Sequence, residues 1–430
     1  MNSGAMSSNF ELNPEFYDVG WDAQLEPEDR DGLQLSQVQD RSDWIVKLQF
    51  TQGKDTSYGT GFYVNIPDTK TYVVLTAGHN LINAEGISSR NLVVFRAAGS
   101  ASSATQNNLK INDQDIFISS SYRVTPSNAN TENDYGAILV PRAIDNARAR
   151  GFGFALKLGH DDLRKDELSI SGYRVDTAPG LPVTSTGQCI GCQENQLEYR
   201  IQTEKGLSGS PVIMAYKGHD TAVAIHNHGP AKRGRGSRGT RLNEKVLDEI
   251  FSWINVGQRN RLLRVFPSKG VPDEGLYLRF RPDESHGWVR LGREGLETSF
   301  DILPAYAPPP TVASSPLPLY VFRFRFPPGW PRSTEERWVL WDFMKKRVTL
   351  TSALQEPCFP RIVQDSKAKD AFHIVLAATQ GTMGELFEFR MQAADLTAAD
   401  IEMEEFDTPE ASFVKYVRNK KVKFNNFSFE

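Results

Sequence analysis

Residues 206–211 read Gly-Leu-Ser-Gly-Ser-Pro, so that Ser208 stands between two glycines. Glycine lets the backbone turn sharply and lets a substrate carbonyl approach main-chain N–H groups. A nucleophilic serine with an oxyanion hole has these requirements. Because a serine hydroxyl is unreactive by itself, it also needs a base to accept its proton and a third group to orient that base. The stretch therefore predicts that two further residues, distant in the sequence, complete a catalytic site.

Two other stretches offer such partners at the ends of apolar segments. His79 follows the apolar segment 71–76 and two small residues, and Asp134 precedes the apolar segment 136–140. A histidine or an aspartate in such a position is, taken singly, more often a packing or turn residue. Asp113 and Asp115 are alternatives to Asp134, although no comparably apolar segment follows them. The order of the three residue types along the chain is thus His, Asp, Ser.

The segments around these residues predict an all-β fold. Short runs rich in β-branched and aromatic residues are separated by turn signals, which is typical of a barrel or a sandwich. These runs are 44–50, 59–64, 71–76, 168–173, 197–201 and 222–229. Apolar residues at helical spacing predict one amphipathic helix over 243–254 that closes this part of the chain.

The composition indicates several domains with real cores. With 430 residues and 39% hydrophobic content, the chain is long enough for two or three domains. We expect an acidic flexible extension over residues 1–41, a catalytic domain over 42–256 and an antiparallel β domain over 257–430. Strict alternation at 276–281, 320–326 and 386–390 predicts strands in that last domain. A proline-rich excursion from Pro304 to Pro318 is expected to lie outside any strand or helix.

Charge, hydropathy and cysteine usage exclude several classes of protein. No apolar run approaches the roughly 20 residues that cross a bilayer, and the polar first forty residues do not resemble a secretory signal. The net charge of −4 argues against a general nucleic-acid binder. The three cysteines, Cys189, Cys192 and Cys358, argue against a disulfide framework and for the cytoplasm. The Cys-x-x-Cys spacing has no second pair, so we interpret it as a detail of a strand and turn.

The motifs together resemble those of chymotrypsin-fold serine proteases and are most similar to the glutamyl-endopeptidase, or V8-like, branch. The matching stretches span residues 42–255 and are Gly-Thr-Gly at 59–61, Thr-Ala-Gly-His at 76–79, Asn-Asp at 133–134, Ser-Gly-Tyr at 171–173, Gly-Leu-Ser-Gly-Ser-Pro at 206–211 and Ala-Ile-His at 224–226. The resemblance implies two six-stranded β-barrels with the active site between them. It also implies that Ser208 is the nucleophile, His79 the general base and Asp134 its orienting partner. The oxyanion hole would consist of the backbone N–H groups of Gly206 and Ser208.

The same resemblance places His226 and Thr203 in the primary specificity pocket, with His228 as an alternative to His226. An imidazole and a hydroxyl both donate hydrogen bonds to a carboxylate, so we expect an acidic residue before the scissile bond. The basic segment 231–241 would attract such substrates, or it is a solvated loop. Many relatives have Asp where this chain has Leu207, so activation by an ion pair to a freed amino terminus is not expected. Glu204 and Lys205 would narrow the rim of the pocket.

We therefore expect a cytoplasmic serine endopeptidase that hydrolyses peptide bonds through an acyl-enzyme, without a metal or cofactor. Its partners would be protein or peptide substrates with acidic cleavage sites, and the C-terminal domain would bind partners or regulate the enzyme. Neither a membrane nor a nucleic acid is expected as a partner. One alternative is a catalytically inactive protease fold that serves as an interaction module. Another is a nucleic-acid adaptor that uses the basic segment 231–241 and the basic and aromatic residues of 415–429.

Overall fold

The computed structural model describes residues 41–67, 69–96, 108–141, 151–158, 160–175, 182–230, 236–266, 276–280, 289–292, 299–309, 318–325, 338–342, 347–354, 359–364, 372–377, 386–392, 410–415 and 426–429. Nearly all of the extension predicted for residues 1–41 lies outside these ranges. Within them, no helix is long and apolar enough to span a membrane. Strands dominate the described residues, which confirms the predicted all-β class.

The first structural unit is a seven-stranded antiparallel sheet. Its strands are β1 (Ile45–Gln52), β2 (Asp55–Val64), β3 (Thr71–Thr76), β4 (Arg90–Arg96), β5 (Asn108–Lys110), β6 (Ile116–Ile118) and β7 (Gly136–Pro141). Helix α1 (Ser120–Val124) lies between β6 and β7. The spatial order is β5-β4-β1-β2-β3-β7-β6, one strand more than the six that the resemblance implies. Alternating residues such as Val46 and Leu48 pack in the interior of this sheet, as the pleat requires.

The second unit is a closed six-stranded barrel, as expected, and we refer to it as the second barrel. A short strand β8 (Phe154–Ala155) and helix α2 (His160–Lys165) precede it. Its strands are β9 (Glu167–Gly172), β10 (Val183–Cys192), β11 (Gln196–Tyr199), β12 (Pro211–Tyr216), β13 (His219–His228) and β14 (Ser237–Arg241), closed in the order β10-β11-β14-β13-β12-β9. Helix α3 (Glu244–Trp253) follows and confirms the helix predicted over 243–254. Asn243 caps it, because its side-chain oxygen accepts a hydrogen bond from the N–H of Val246 at 3.0 Å.

The C-terminal half forms a third, antiparallel sheet, as predicted. Its strands are β15 (Gln258–Phe266), β16 (Leu276–Phe280), β17 (Val289–Gly292), β18 (Ser299–Ala307), β19 (Leu319–Phe324), β20 (Trp338–Asp342), β21 (Arg347–Thr351), β22 (Arg361–Gln364), β23 (Phe372–Ala377), β24 (Leu386–Gln392), β25 (Glu410–Lys415) and β26 (Asn426–Phe429). Strand β8 pairs with β18, so this sheet reaches back into the part of the chain that precedes the barrel.

The proline-rich segment departs from the prediction at its start. Pro304 lies within β18 opposite Tyr320, rather than outside any strand. Proline lacks an N–H, which a regular strand interior requires. The register shifts between Pro304 and Tyr306, and this irregularity accommodates the proline. Residues 310–317 of the predicted excursion lie outside the described ranges.

The barrel and the C-terminal sheet share one hydrophobic core. Leu303 and Val321 of the C-terminal sheet belong to the same buried cluster as Leu247 and Ile250 of α3. Ion pairs reinforce the junction, since Arg323 lies 2.8 Å from Asp248 of α3. The boundary drawn at residues 256/257 stays a prediction, but no change of core marks it.

Candidate active site

The pairing of β3 with β7 explains why His79 and Asp134 meet. Thr76, at the end of β3, lies opposite Gly136, at the start of β7. His79 belongs to the short 3-10 turn Gly78–Asn80 just after β3, and Asp134 directly follows the 3-10 turn Thr131–Asn133. Because the two strands are antiparallel, the last residue of β3 and the first residue of β7 lie at the same end of the strand pair.

Asp134 contacts His79 through both of its carboxylate oxygens. Its Oδ1 accepts a hydrogen bond from the backbone N–H of His79 at 2.8 Å, and its Oδ2 lies 2.7 Å from Nδ1 of the imidazole. The carboxylate is fully buried, whereas the imidazole is 26% exposed. The two bonds fix the ring and place Nδ1 against the carboxylate, so that the opposite nitrogen, Nε2, is the one left for a substrate or nucleophile proton.

Burial and charge act in opposite directions on this pair. Burial alone would lower the pKa of His79, but the charge of Asp134 and its hydrogen bond raise it more, so the pKa lies above the ordinary value of 6.5. Burial alone would raise the pKa of Asp134, yet the charge of His79, the hydrogen bonds from its ring and backbone N–H, and the nearby His228 ring bring it well below its usual range. Asp134 is therefore ionised at neutral pH and stabilises the imidazolium form of His79.

The peptide unit of Asp134 is fixed from the second barrel. Asn227 of β13 donates its side-chain N–H to the carbonyl oxygen of Asp134, and its side-chain oxygen accepts from the N–H of Thr240. Thr240 Oγ1 lies 3.3 Å from the same Asp134 carbonyl. Both Asn227 and Thr240 are buried, so these contacts join the two halves of the site without solvent.

Glycines shape the loop that carries Ser208. Gly206 and Gly209 have φ angles of +100° and +89°, which residues with a side chain rarely adopt. A Cβ at Gly209 would lie 2.1 Å from the carbonyl oxygen of Thr60, and one at Gly206 would lie 2.5 Å from that of Tyr173. The loop conformation thus requires glycine at both positions, for its dihedral angles and for its close approach to neighbouring backbone.

Residues of the first sheet hold this serine loop in place. The carbonyl oxygen of Ser208 accepts from the N–H of Thr60 and from the side-chain amide of Asn80, both at 2.9 Å. Thr60 Oγ1 donates to the carbonyl oxygen of Gly206 at 2.8 Å. Asn80 directly follows His79, so one short turn positions the histidine and also contacts the serine loop.

The Ser208 side chain points to the backbone of β13. Its Oγ donates to the carbonyl oxygen of Asn227 at 3.2 Å. Among the described residues, no backbone carbonyl accepts from the N–H groups of Gly206 or Ser208. The resemblance assigns these two N–H groups to the oxyanion hole.

An irregularity in β13 aims three consecutive side chains in different directions. The register with β14 shifts between His226 and His228. The side chain of His226 contacts Tyr199, that of Asn227 contacts Asp134, and that of His228 stacks on His79. Bulges are frequent next to active sites because they redirect side chains in this way.

His226 lies in the interior of the second barrel. It is 2% exposed, and its Nδ1 lies 2.8 Å from the hydroxyl of Tyr199. Burial, and then the charges of His228 and His79, lower its pKa to about 3. At neutral pH it is thus a neutral imidazole with one N–H. Burial raises the pKa of Tyr199, so this tyrosine keeps its proton. Its O–H can therefore donate to Nδ1 of His226, which leaves the ring proton of His226 on Nε2.

Thr203 lies beside the same strands as His226. Its Oγ1 is 3.3 Å from Oγ of the buried Ser237, whose own strand pairs His226 with Gly239. A Cβ at Gly229 would lie 3.2 Å from Thr203 Oγ1, so this glycine leaves room beside the hydroxyl. The structure thus brings both residues predicted for the specificity pocket to the β13–β14 side of the barrel.

His228 takes a different place from the one considered in the sequence. Its ring stacks on that of His79 at 5.2 Å between centroids, and its Nε2 lies 3.4 Å from Asp134 Oδ2. It therefore contacts the histidine and aspartate pair, whereas His226 occupies the position next to Tyr199. The alternatives to Asp134 lie elsewhere. Asp113 and Asp115 belong to a separate 3-10 turn, Asp113–Asp115, and neither is buried.

Other residues named in the sequence have structural contacts. Leu207 is buried in the core of the second barrel. Glu204 forms an ion pair with Arg174 at 2.9 Å on the surface. Arg241 donates to the carbonyl oxygens of Gln193 and Leu158, so it braces loops rather than facing a substrate. Residues 231–235 of the basic segment and Cys358 lie outside the described ranges.

The Cys189 and Cys192 thiols are free and buried on β10. Burial raises the pKa of both, so they stay protonated at neutral pH. Their place at the end of a strand, before a turn, agrees with the interpretation drawn from their spacing.

Sequence comparison finds one relative of known activity. No family model matches this chain. Over 190 residues this chain is 27% identical to the glutamyl endopeptidase of Bacillus licheniformis. The matched region covers 43% of this chain and 57% of the relative. The chain thus matches little more than half the length of that protein. The match confirms the resemblance to V8-like glutamyl endopeptidases that the motifs indicate.

Three similar solved structures are proteases, and each covers about half of this chain. A thermostable serine protease from an extremophilic microorganism matches with a TM-score of 0.40 and 16% identity, covering 50% of this chain and 98% of its own. A Glu endopeptidase matches with a TM-score of 0.39 and 19% identity, covering 51% and 96%. A protease of Arthrobacter nicotinovorans matches with a TM-score of 0.39 and 16% identity, covering 50% and 96%. By sequence and motifs, this chain is similar to the V8-like glutamyl endopeptidases.

Proposed function

We propose that this chain is a serine endopeptidase that cleaves peptide bonds after acidic residues. The observation that carries the proposal is that both carboxylate oxygens of Asp134 bond His79, while the next residue, Asn80, bonds the backbone carbonyl of Ser208. The similarity to a glutamyl endopeptidase supports the same reaction class. The expected cytoplasmic location and a partner-binding role of the C-terminal sheet stay predictions.

The reaction begins with a rotation of the Ser208 side chain. Its hydroxyl leaves the carbonyl of Asn227 and donates to Nε2 of His79, since catalytic hydrogen bonds in unliganded enzymes often tighten only with substrate. His79 accepts the proton while Oγ attacks the substrate carbonyl carbon. Asp134 holds the Nδ1 proton and stabilises the imidazolium that forms.

Two backbone donors stabilise the tetrahedral intermediate. The N–H groups of Gly206 and Ser208 bind the negative oxygen that develops on the substrate carbonyl. The intermediate collapses when His79 returns its proton to the leaving amine, which breaks the peptide bond and leaves an ester on Ser208. Water, activated by the same histidine, then hydrolyses this acyl-enzyme and restores the free hydroxyl.

Preference for an acidic residue arises from neutral donors rather than from an opposite charge. With Tyr199 donating to Nδ1, His226 presents an N–H at Nε2 to a substrate carboxylate, and Thr203 adds a hydroxyl. Such a site rejects an apolar side chain because its buried donors would stay unpaired. It accepts glutamate as an anion, because hydrogen bonds from both donors to a carboxylate are charge-assisted.

The test compares peptides that differ only in the residue before the scissile bond. We expect cleavage of Glu and Asp peptides, with kcat/KM at least about 100-fold above the Gln and Lys peptides, because hydrogen bonds to a carboxylate are stronger than those to the neutral Gln amide and a Lys ammonium offers no acceptor. Ser208→Ala is the control and should abolish cleavage of all four. Cleavage by both proteins would assign the activity elsewhere, and cleavage by neither would favour the inactive interaction module. Preference for Lys would overturn the assignment of the pocket.

A further inference from the structure

We propose that His79, Asp134 and His228 form an inhibitory binding site for a zinc ion. The inference rests on the proposed function, since the ion would occupy the general base. The side-chain ligand atoms of the three residues all lie within 4.8 Å of one another. This site differs from the expectation drawn from the sequence, which includes no metal.

His228 has a nitrogen that the proposed proteolysis does not use. Its Nε2 is shielded from solvent and makes no hydrogen bond of good geometry to any described residue. The nearest acceptor is Oδ2 of Asp134 at 3.4 Å. A buried polar atom left in this way is costly unless a further group satisfies it. The rings of His79 and His228 stack with their centroids 5.2 Å apart, so a ligand at the shared carboxylate would meet both histidines.

The spacing suits the coordination sphere of zinc. Zinc binds histidine nitrogen and carboxylate oxygen at about 2.0–2.2 Å with tetrahedral geometry, so neighbouring ligand atoms stand roughly 3.3–3.6 Å apart. The 3.4 Å between His228 Nε2 and Asp134 Oδ2 already falls in this range. The 2.7 Å between His79 Nδ1 and Asp134 Oδ2 is a hydrogen-bond distance and must widen by about 0.6 Å as the metal replaces the proton.

Ligand chemistry and access favour a borderline transition metal. Two imidazoles with one carboxylate suit Zn²⁺, whereas Mg²⁺ and Ca²⁺ require six or more oxygen ligands. The side chains of His79 and His228 are 26% and 22% exposed, which gives the ion a route from solvent and leaves a fourth position for water. Once zinc replaces the proton on Nδ1, the neutral imidazole of His79 carries its proton on Nε2, so this nitrogen cannot accept the proton of Ser208. The apo form is then the active one, and zinc inhibits it reversibly.

The experiment measures binding separately from activity. Isothermal titration calorimetry with ZnCl₂ should show one ion per wild-type chain, at least tenfold weaker binding to His228→Asn, and no binding of MgCl₂ at the same concentration. His219→Asn is the matched control, because it removes a histidine at the other end of the same strand and should leave the affinity unchanged. Cys189→Ser with Cys192→Ser should also leave it unchanged, which excludes the buried thiols as ligands.

A second readout covers a His228 variant that fails to fold. Co²⁺ bound to the wild-type protein should give the visible absorption bands of a tetrahedral site without the near-ultraviolet bands of thiolate ligation. The proposal is overturned if wild type binds no zinc, if His228→Asn binds it as tightly, or if only the cysteine variant loses it. Zinc that binds as expected to a protein without peptidase activity would refute the proposed function and leave the metal site intact. With an active protein, zinc should abolish turnover and EDTA should restore it.

Discussion

The hydroxyl oxygen of Tyr199 lies 2.8 Å from Nδ1 of His226, in the interior of the second barrel. In our account this contact fixes the tautomer that presents an N–H to the substrate. Tyr199→Phe should therefore lower kcat/KM for Glu peptides about tenfold, since the loss of one hydrogen bond to a buried group costs about 1–3 kcal/mol. Steady-state kinetics with matched Glu and Gln peptides measures this loss.

The ratio between those two peptides distinguishes positioning from general damage. A tautomer effect should raise KM for the Glu peptide more than it lowers kcat, and the Gln peptide should change little. An equal loss on both peptides would mean that Tyr199 only supports the barrel. The melting temperature of the variant provides the control for folding.

Gly209→Ala should prevent the serine loop from forming. The added Cβ would lie 2.1 Å from the Thr60 carbonyl oxygen at a backbone φ of +89°. We expect destabilisation of about 4 kcal/mol or more, together with loss of activity. Gly218→Ala is the matched control, because its φ is +74° but no atom lies within 4 Å of the added Cβ. It should cost only about 1–2 kcal/mol, and equal losses in denaturant unfolding would contradict the role of the close contact.

The junction between α3 and the C-terminal sheet should weaken in acid. Burial alone would raise the pKa of Asp301, but the N–H of Asn260 and the guanidinium groups of Arg325 and Arg323 lower it below the ordinary 3.8. The ionised carboxylate thus stabilises the fold at every pH above the unfolded-state value, and this stabilisation is lost as the pH falls through the folded-state pKa. Melting temperatures measured between pH 7 and pH 2 should show this loss of stability.

Asp301→Asn isolates that contribution. It should cost about 1–3 kcal/mol at neutral pH, because Arg325 and Arg323 lose a charged acceptor. It should also flatten the acid limb of the stability curve. Asp220→Asn, which removes a more exposed partner of Arg41, should change neither by a comparable amount. An unchanged acid limb in Asp301→Asn would show that other carboxylates cause the loss.

The sequence predicts those parts of the site that depend on residues close together along the chain. His79 and Asp134 each lie within three residues of a strand, so strand pairing alone brings them together. The glycines around Ser208 predict its loop because residues with a side chain rarely adopt φ angles of +100° and +89°. The Gly-Thr-Gly motif at 59–61 marks Thr60, but its close contact with the loop depends on packing between the first sheet and the second barrel and is not visible in the sequence.

The residues that the sequence misses depend on irregular or long-range pairing. Tyr199 reaches His226 across the barrel, and Asn227 reaches Asp134 because the register of β13 shifts at that point. A regular alternation would have placed His226 and His228 on one face, which is why the sequence alone does not distinguish them. The C-terminal half has the alternation of strands, but only packing shows that it shares a core with the barrel.

The most direct test of the central claim is covalent labelling with a fluorophosphonate, followed by intact-mass and peptide mass spectrometry. We expect wild type to gain one adduct, located on Ser208, and Ser208→Ala to gain none. His79→Ala should react orders of magnitude more slowly, because the hydroxyl loses its base. A wild-type protein that stays unlabelled, or an adduct that persists in Ser208→Ala, would contradict the activation of Ser208 by His79 and Asp134.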